Sequence, residues 1–134
     1  MRTIVRLSAI LAAVFICATA TAQNKGNDVF VPISKYLSQG NVDALSAWFA
    51  GNLEVTIMAN GGDTSRNQAK QVMKTFFDSY TPRDFKVTHT AGTSNMKYVL
   101  GVLNAGGENF HVTMFVICKD GAYQIQQIKI DKQQ

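Results

Sequence analysis

The stretch SRNQAKQVMKTFFDSY, residues 65–80, decides how this chain folds. Its apolar side chains recur at the spacing of one helix face; they are Ala69, Val72, Met73, Phe76, Phe77 and Tyr80. Ser65 and Gln68 have the spacing of a capping box, in which both side chains satisfy the first free N–H groups of a helix. Pro82 forces the chain out of the helix near Thr81. A helix with so wide an apolar stripe must lie across another apolar surface.

Two shorter helices are predicted before this one. The first spans Asp28 to Gln39, with apolar residues at helical spacing, and stops at Gly40. Asn41 can cap a second helix that Gly51 is placed to end. The apolar face of this second helix carries Val42, Leu45, Trp48 and Phe49.

The remaining segments have the alternation of strands. Leu53 to Ile57 alternates apolar and polar residues, and Asn60-Gly61-Gly62 breaks the pattern. Four further strands are predicted over residues 85–91, 96–103, 110–119 and 123–131, and Gly106-Gly107 is one of the turns between them. The predicted fold is α+β, with helices packed on the concave face of a strongly curved, mainly antiparallel sheet, in the order α-α-β-α-β-β-β-β.

The turn Asp120-Gly121 allows a register to be calculated for the last two strands. Both positions of a type I′ turn need positive φ, which Asp tolerates and Gly adopts freely. Lys119 then faces Ala122, and the apolar residues of both strands stay on one face only if one extra residue is inserted at Gln126-Gln127. The predicted pairs are Cys118 with Tyr123, Val116 with Ile125, Met114 with Ile128, Val112 with Ile130 and His111 with Asp131.

The order of elements is that of the nuclear transport factor 2-like superfamily, a cone of curved sheet around helices. Within it, the chain resembles a bacterial exported family catalogued only as a domain of unknown function. The resemblance spans the mature chain and rests on these motifs: Gly40-Asn41-Val42-Asp43-Ala44-Leu45 with Trp48-Phe49, Leu53-Glu54-Val55-Thr56-Ile57, Ser65 with Gln68-Ala69, Phe76-Phe77, Lys97-Tyr98 with Gly101, and Tyr123-Gln124-Ile125-Gln126-Gln127. It implies the fold and no particular activity.

The first 22 residues have the composition of a signal peptide. Two arginines precede an apolar run, Leu7 to Cys17, that is too short to span a bilayer. Cleavage after Ala20-Thr21-Ala22 is expected to leave residues 23–134 as a single domain in the periplasm or secreted, with no membrane span. An uncleaved membrane anchor is the alternative.

Charge and cysteine content limit the expected binding partners and the possible disulfides. Losing Arg2 and Arg6 with the leader takes the 13 basic side chains to 11, against 9 acidic ones. The remaining lysines are scattered, so nucleic acid is not an expected partner. Only Cys118 remains after cleavage, so no internal disulfide forms and the apolar core must hold the fold. Its phase with Val116 indicates an inert buried thiol.

A pocket for a small apolar ligand is predicted between the helices and the sheet, although the same side chains could simply fill the core. The candidate lining comprises Trp48, Phe49, Met73, Phe76, Phe77, Tyr80, His89 and Tyr98. His89 shares a predicted strand face with Phe85 and Val87, so its ring is expected to point toward the apolar side. The loop 104–109 allows two registers that place Tyr98 on opposite faces.

Other chemistry has little support in the sequence. His111 is expected to face outward beside Asp131, and two histidines without a third ligand make a poor metal site. The glycine pairs lack a phosphate-loop pattern, and no cofactor is expected. No acidic residue occupies a firm interior strand position, which leaves a carboxylate base unsupported.

Phe115 and Ile117 alternate outward on a strand whose other face is already apolar. A homodimer through this outer sheet face is the simplest way to cover them. The sequence therefore favours a non-enzymatic exported domain that binds a ligand or a protein. The alternative is a small isomerase- or dehydratase-like enzyme that uses His89 in an apolar pocket, with Tyr98 as a second proton donor or hydrogen-bond partner.

Overall fold

A computed structural model describes residues 29–133 of the chain. The predicted leader, residues 1–22, lies outside the described residues. The elements, in chain order, are α1 (Phe30–Gln39), α2 (Val42–Ser46), β1 (Phe49–Ile57), β2 (Asn60–Ser65), α3 (Arg66–Ser79), β3 (Pro82–Gly92), β4 (Met96–Ala105), β5 (Glu108–Lys119) and β6 (Ala122–Lys132).

The predicted α+β fold is confirmed, with helices on one face of an open six-stranded sheet. The strand order is β2-β1-β6-β5-β4-β3, so β2 and β3 form the two edges. All neighbouring strands are antiparallel except β1 and β6, which run parallel. The sheet is therefore mixed.

The helix that the sequence indicates most clearly is α3. The Ser65 hydroxyl accepts a hydrogen bond from the Gln68 N–H at 3.3 Å, which is the cap that the spacing predicts. The Gln68 side chain contacts the Thr64 hydroxyl instead, with Oγ1 and Oε1 3.0 Å apart. Helix α3 packs against α2, β1 and β2.

One face of the sheet, which we call the inner face, carries the core. Fully buried side chains from helices and strands include Ile33, Leu37, Leu45, Phe49, Met73, Val99, Leu103, Phe110, Met114, Ile125, Ile128 and Ile130. The opposite, outer face carries the alternate residues of the same strands, which are half-buried or exposed. Burying the inner face is the main favourable contribution to folding.

The calculated β5–β6 register is confirmed at every predicted pair, His111 opposite Asp131 included. The pairing shifts where Phe115 faces Gln127 and Val116 faces Ile125, which leaves Gln126 as the extra residue of a β-bulge. Asp120 and Gly121 have φ of 54° and 80°, as a type I′ turn requires. Cys118 is only half-buried, so the expectation of a buried thiol was too strong.

The second predicted helix is too long. Helix α2 ends at Ser46, and Phe49 is the first residue of β1 rather than the last turn of a helix. The Ile125 N–H of β6 donates to the Trp48 carbonyl, at 2.6 Å, and Phe49 pairs with Ile125. Pairing with a distant strand therefore overrides the local helical pattern.

Asn60-Gly61-Gly62 forms part of a strand rather than the predicted break. These residues begin β2, and the turn lies at Met58 and Ala59, with φ of 51° and 70°. Non-glycine residues rarely adopt this conformation, and glycine pairs are rare in strands. Because both features depart from ordinary residue preferences, the sequence pattern does not predict the β1–β2 hairpin.

Candidate functional site

The predicted pocket residues on the inner face mainly fill the core. Phe49 and Met73 are fully buried, and Phe76 and Phe77 keep only 5% and 7% of their surface exposed. Trp48 and Tyr80 are half-buried. Of the two predicted alternatives, a filled core describes the centre of the domain. Open space remains only at the margin of this core.

That margin is built on a cluster of aromatic rings. Phe76 and Tyr80, one turn apart on α3, both contact the ring of Phe110 on β5 edge to face, with centroids 5.2 Å and 5.1 Å away. Phe77 lies 5.5 Å from Phe76. Such contacts fix each ring beyond what area burial alone achieves. The cluster therefore forms a rigid wall.

A groove of about 410 Å³, which we call the helix groove, opens beside this wall. It runs between α3 and the β1–β2 hairpin, and its lining is mainly apolar. Its residues include Ile57, Met58, Val72, Thr75, Phe76 and Tyr80. Two of the eight predicted pocket residues, Phe76 and Tyr80, thus border an open concavity. Ile57 and Met58 were not predicted, because the hairpin that carries them was not recognised.

A second concavity, which we call the edge groove, continues from the first toward the start of α3. It measures about 830 Å³ and shares Gln71 and Val72 with the helix groove. The remaining lining comprises Val55, Gly61, Gly62, Asp63, Thr64, Asn67 and Gln68. Amide side chains dominate its polar groups. No sequence signal pointed to this site.

His89 does not lie where the sequence placed it. Val87 pairs with Gly101 and His89 with Leu100, so Thr88 is a bulge that reverses the alternation of β3. The Thr88 hydroxyl donates to the Leu100 carbonyl at 3.1 Å. His89 is consequently exposed on the outer face, and the expectation that its ring points into the core is wrong. Neither groove is lined by His89.

Tyr98 also lies on the outer face. The β4–β5 pairing is unbroken around Gly106 and Gly107. This pairing selects one of the two registers that the loop allowed. The Tyr98 ring is 36% exposed and meets Phe115 edge to face at 6.4 Å. His89 and Tyr98 therefore share a face with each other, but not with the buried Phe49, Met73, Phe76 and Phe77.

The outer face carries a run of apolar side chains on β4 and β5. We call it the outer strip; it comprises Met96, Tyr98, Leu100, Val102, Phe115 and Ile117. Met96 is 45% exposed, and its cross-strand neighbour is Ile117. Where α3 reaches these strands it does so on the inner face, because Phe76 and Tyr80 contact the buried Phe110 of β5, which faces away from the strip.

Charged side chains lie around the strip rather than within it. At one end, His111 faces Asp131 across β5 and β6, and Lys129 Nζ approaches Asp131 Oδ2 at 3.8 Å. Within the described range, no three potential metal ligands cluster, and no helix is long and apolar enough to cross a membrane.

The resolved charge effects lie away from both grooves and the strip. A hydrogen bond from Lys70, together with its charge and that of Lys74, lowers the pKa of Asp43. A hydrogen bond from Lys132 to Glu108, with the charge of that carboxylate, raises the pKa of Lys132. Ser46, the one buried polar residue of the described segment, donates to the Asp43 carbonyl at 2.8 Å.

Known structures share this fold. A DUF4783 family protein from Bacteroides uniformis is 24% identical, with a TM-score of 0.73, over 77% of this chain and 95% of that one. An NTF-2 like protein of unknown function from Silicibacter pomeroyi is 12% identical, with a TM-score of 0.63, over 85% and 98%. A protein of unknown function with a cystatin-like fold from Nostoc punctiforme is 13% identical, with a TM-score of 0.61, over 79% and 86%.

These similarities establish the fold alone. No curated protein is significantly similar to the chain. The family model described as Domain of unknown function (DUF4783) matches residues 30–131, which include all three described helices and almost all of the described sheet. The chain belongs to the DUF4783 family.

Proposed function

We propose that this chain is an exported, non-enzymatic interaction module that associates with a second copy of itself through the outer strip. The observation that carries the proposal is the exposure of Met96 and Tyr98 beside Phe115 and Ile117 on a face that the described helices leave uncovered. Contiguous exposed apolar patches of this kind mark interaction sites in soluble proteins.

A second copy fits this surface because of how the strip is arranged. A two-fold interface brings the same patch from both subunits together, so each apolar side chain meets apolar surface. The charged groups of Lys129 and Asp131 lie beside the strip on β6, where water solvates them. Burying the strip removes apolar area from water without trapping a charge.

Export is supported by the sequence before the domain. Residues 1–22 combine two arginines, a short apolar run and a small-residue cleavage site. Without the leader, the chain is nearly neutral, which suits association through apolar contacts rather than through charge.

Sedimentation velocity tests the association. The full chain is expressed in a bacterium, and the protein is purified as the cell processes it. We expect an N-terminus at Gln23 and a concentration-dependent shift from monomer to dimer. A species that stays monomeric at the highest soluble concentration excludes the dimer, and an intact N-terminus in the cytoplasm excludes export.

A second candidate function is the binding of a small apolar ligand in the helix groove. Its support is the aromatic wall of Phe76 and Tyr80 beside an open volume of about 410 Å³, within the usual range of ligand pockets. Native mass spectrometry of the purified protein tests it. We expect a bound neutral molecule that is lost in Val72→Lys, which places a charge in the groove, and retained in Val31→Lys on α1. If both variants retain the bound molecule, the helix groove is not its binding site.

A further inference from the structure

Strand β2 presents unpaired backbone groups at one edge of the sheet. Its only strand neighbour within the described range is β1. Ile57 and Asn60 flank the two-residue turn, so this pair and the Val55–Gly62 pair are the hydrogen-bonded ones. The N–H and C=O groups of Gly61 and Asp63 therefore point away from β1, toward the place of a further strand.

The opposite edge is protected, and β2 is not. Strand β3 begins with Pro82, carries Arg83 and Lys86, and is bulged twice along its pairing with β4. Proline, basic side chains and bulges are the devices by which edge strands avoid pairing with other chains. Strand β2 has the sequence NGGDTS and pairs with β1 without a register shift. It is the edge open to strand addition.

The edge groove lies alongside this strand on the inner face. Val55 on β1 and Val72 on α3 are its apolar sides, and Val72 is 43% exposed. Gly62 carries no side chain, and a Cβ built there would have no atom within 4 Å. Alternate side chains of an added strand would thus find space between β2 and α3.

The outer side of the same edge is acidic. Asp63 faces Glu54 in a non-hydrogen-bonded pair, the kind that brings side chains closest. Like charges placed directly opposite each other repel. The Gln127 amide donates to Glu54 Oε2 at 3.1 Å, whereas Asp63 is exposed. A basic side chain on an added strand would relieve this repulsion, whereas pairing two copies of β2 would bring further carboxylates together.

We propose that β2 binds an extended peptide segment of another protein by strand addition. The peptide places small or β-branched apolar side chains in the edge groove and a lysine or arginine beside Asp63 and Glu54. The backbone of Gly61 and Asp63 supplies affinity, and the alternating side chains supply specificity. This binding does not depend on the outer strip, which lies on β4 and β5.

The test uses the protein as processed by the cell and the synthetic peptide acetyl-Thr-Val-Lys-Val-Thr-Val-amide. Hydrogen exchange followed by NMR should show slower exchange at the Gly61 and Asp63 N–H groups when the peptide is added. The Gly62 and Thr64 N–H groups, which already face β1, should change little. Unchanged exchange at Gly61 and Asp63 with saturating peptide overturns the proposal, as does protection confined to β3.

A charge exchange tests the choice of partner. Asp63→Lys should weaken binding of the lysine peptide by about threefold, the range of exposed ion pairs, and strengthen binding of the matching glutamate peptide. Asp84→Lys on β3 makes the same change at the other edge and should alter neither affinity. Equal affinity of the unmodified protein for both peptides removes the acidic edge as the source of selectivity.

Discussion

His89 of β3 lies opposite Leu100 of β4, and both side chains are on the outer face of the sheet. The single extra residue Thr88 causes this arrangement, because a bulge moves every later side chain of the strand to the other face. The histidine that looked most suited to chemistry is therefore in water. The enzyme alternative loses the apolar pocket on which it depended.

The two faces of β5 should respond differently to truncation. Phe110→Ala removes a fully buried ring that contacts Phe76 and Tyr80, and we expect a loss of about 3 to 5 kcal/mol in the free energy of unfolding. Phe115→Ala, on the outer face of the same strand, should cost less than about 1 kcal/mol in dilute protein. Urea denaturation measures both. Equal costs would contradict the assignment of faces.

Gly101 is required by close packing. A Cβ there would clash with the Phe85 ring and come within 2.7 Å of the Lys86 carbonyl oxygen. We expect Gly101→Ala to destabilise the domain by about 1 to 3 kcal/mol. Gly51 is the matched control, since nothing lies within 4 Å of its added Cβ. Gly51→Ala should be neutral or stabilising by up to about 1 kcal/mol, which thermal unfolding can check.

The β1–β2 turn stores backbone strain at Ala59. Its φ of 70° is unfavourable for any residue with a Cβ. Ala59→Gly should therefore raise the free energy of unfolding by about 1 kcal/mol. Ala47→Gly, where φ is −63°, should lower it because glycine only adds freedom to the unfolded chain. A loss of stability in Ala59→Gly would show that the turn is not strained.

The Asp43 ion pairs should appear as a pH dependence of stability. Lys70 Nζ lies 2.8 Å and Lys74 Nζ 3.4 Å from Asp43 Oδ1, and they lower the pKa of Asp43 below its usual 3.8. A lowered carboxyl pKa adds stability that is present above the unfolded pKa and lost as pH falls through the folded one.

Asp43→Asn should therefore be less stable than the parent protein at neutral pH, and the difference should shrink as pH falls below 3.8 and vanish below the lowered pKa of the folded state. The effect is small because the carboxylate is solvent-exposed, and 1 M salt should reduce it further. Thermal midpoints across pH and salt measure it. A difference that persists at low pH would assign the loss to the helix itself rather than to charge.

The outer strip should control self-association. Phe115→Glu buries a charge in the proposed interface, so we expect the dimer to be lost while the monomer keeps its thermal stability. Asn109→Glu lies on the same face of the same strand but beyond the apolar run, where it faces Asn104, and should leave association almost unchanged. Sedimentation velocity distinguishes them, and a dimer that survives Phe115→Glu does not use this face.

Elements with local signals follow from the amino-acid pattern alone. The stripe and cap of α3 predicted that helix, and Asp120-Gly121 anchored a count that placed Gln126 in a bulge. The count succeeded because a two-residue turn has one register, and because an apolar mismatch shows where the extra residue must lie.

Tertiary contacts set the conformation of the segments in which pairing with another strand competes with local preference. Phe49 joins a strand because Ile125 pairs with it, and Gly61-Gly62 forms a strand because β1 supplies its hydrogen bonds. The bulge at Thr88 leaves no pattern in the sequence, because Val87, His89 and Ala91 fit either face. Local patterns report which side chains avoid water, whereas pairing energies between distant strands decide the register that places each of them.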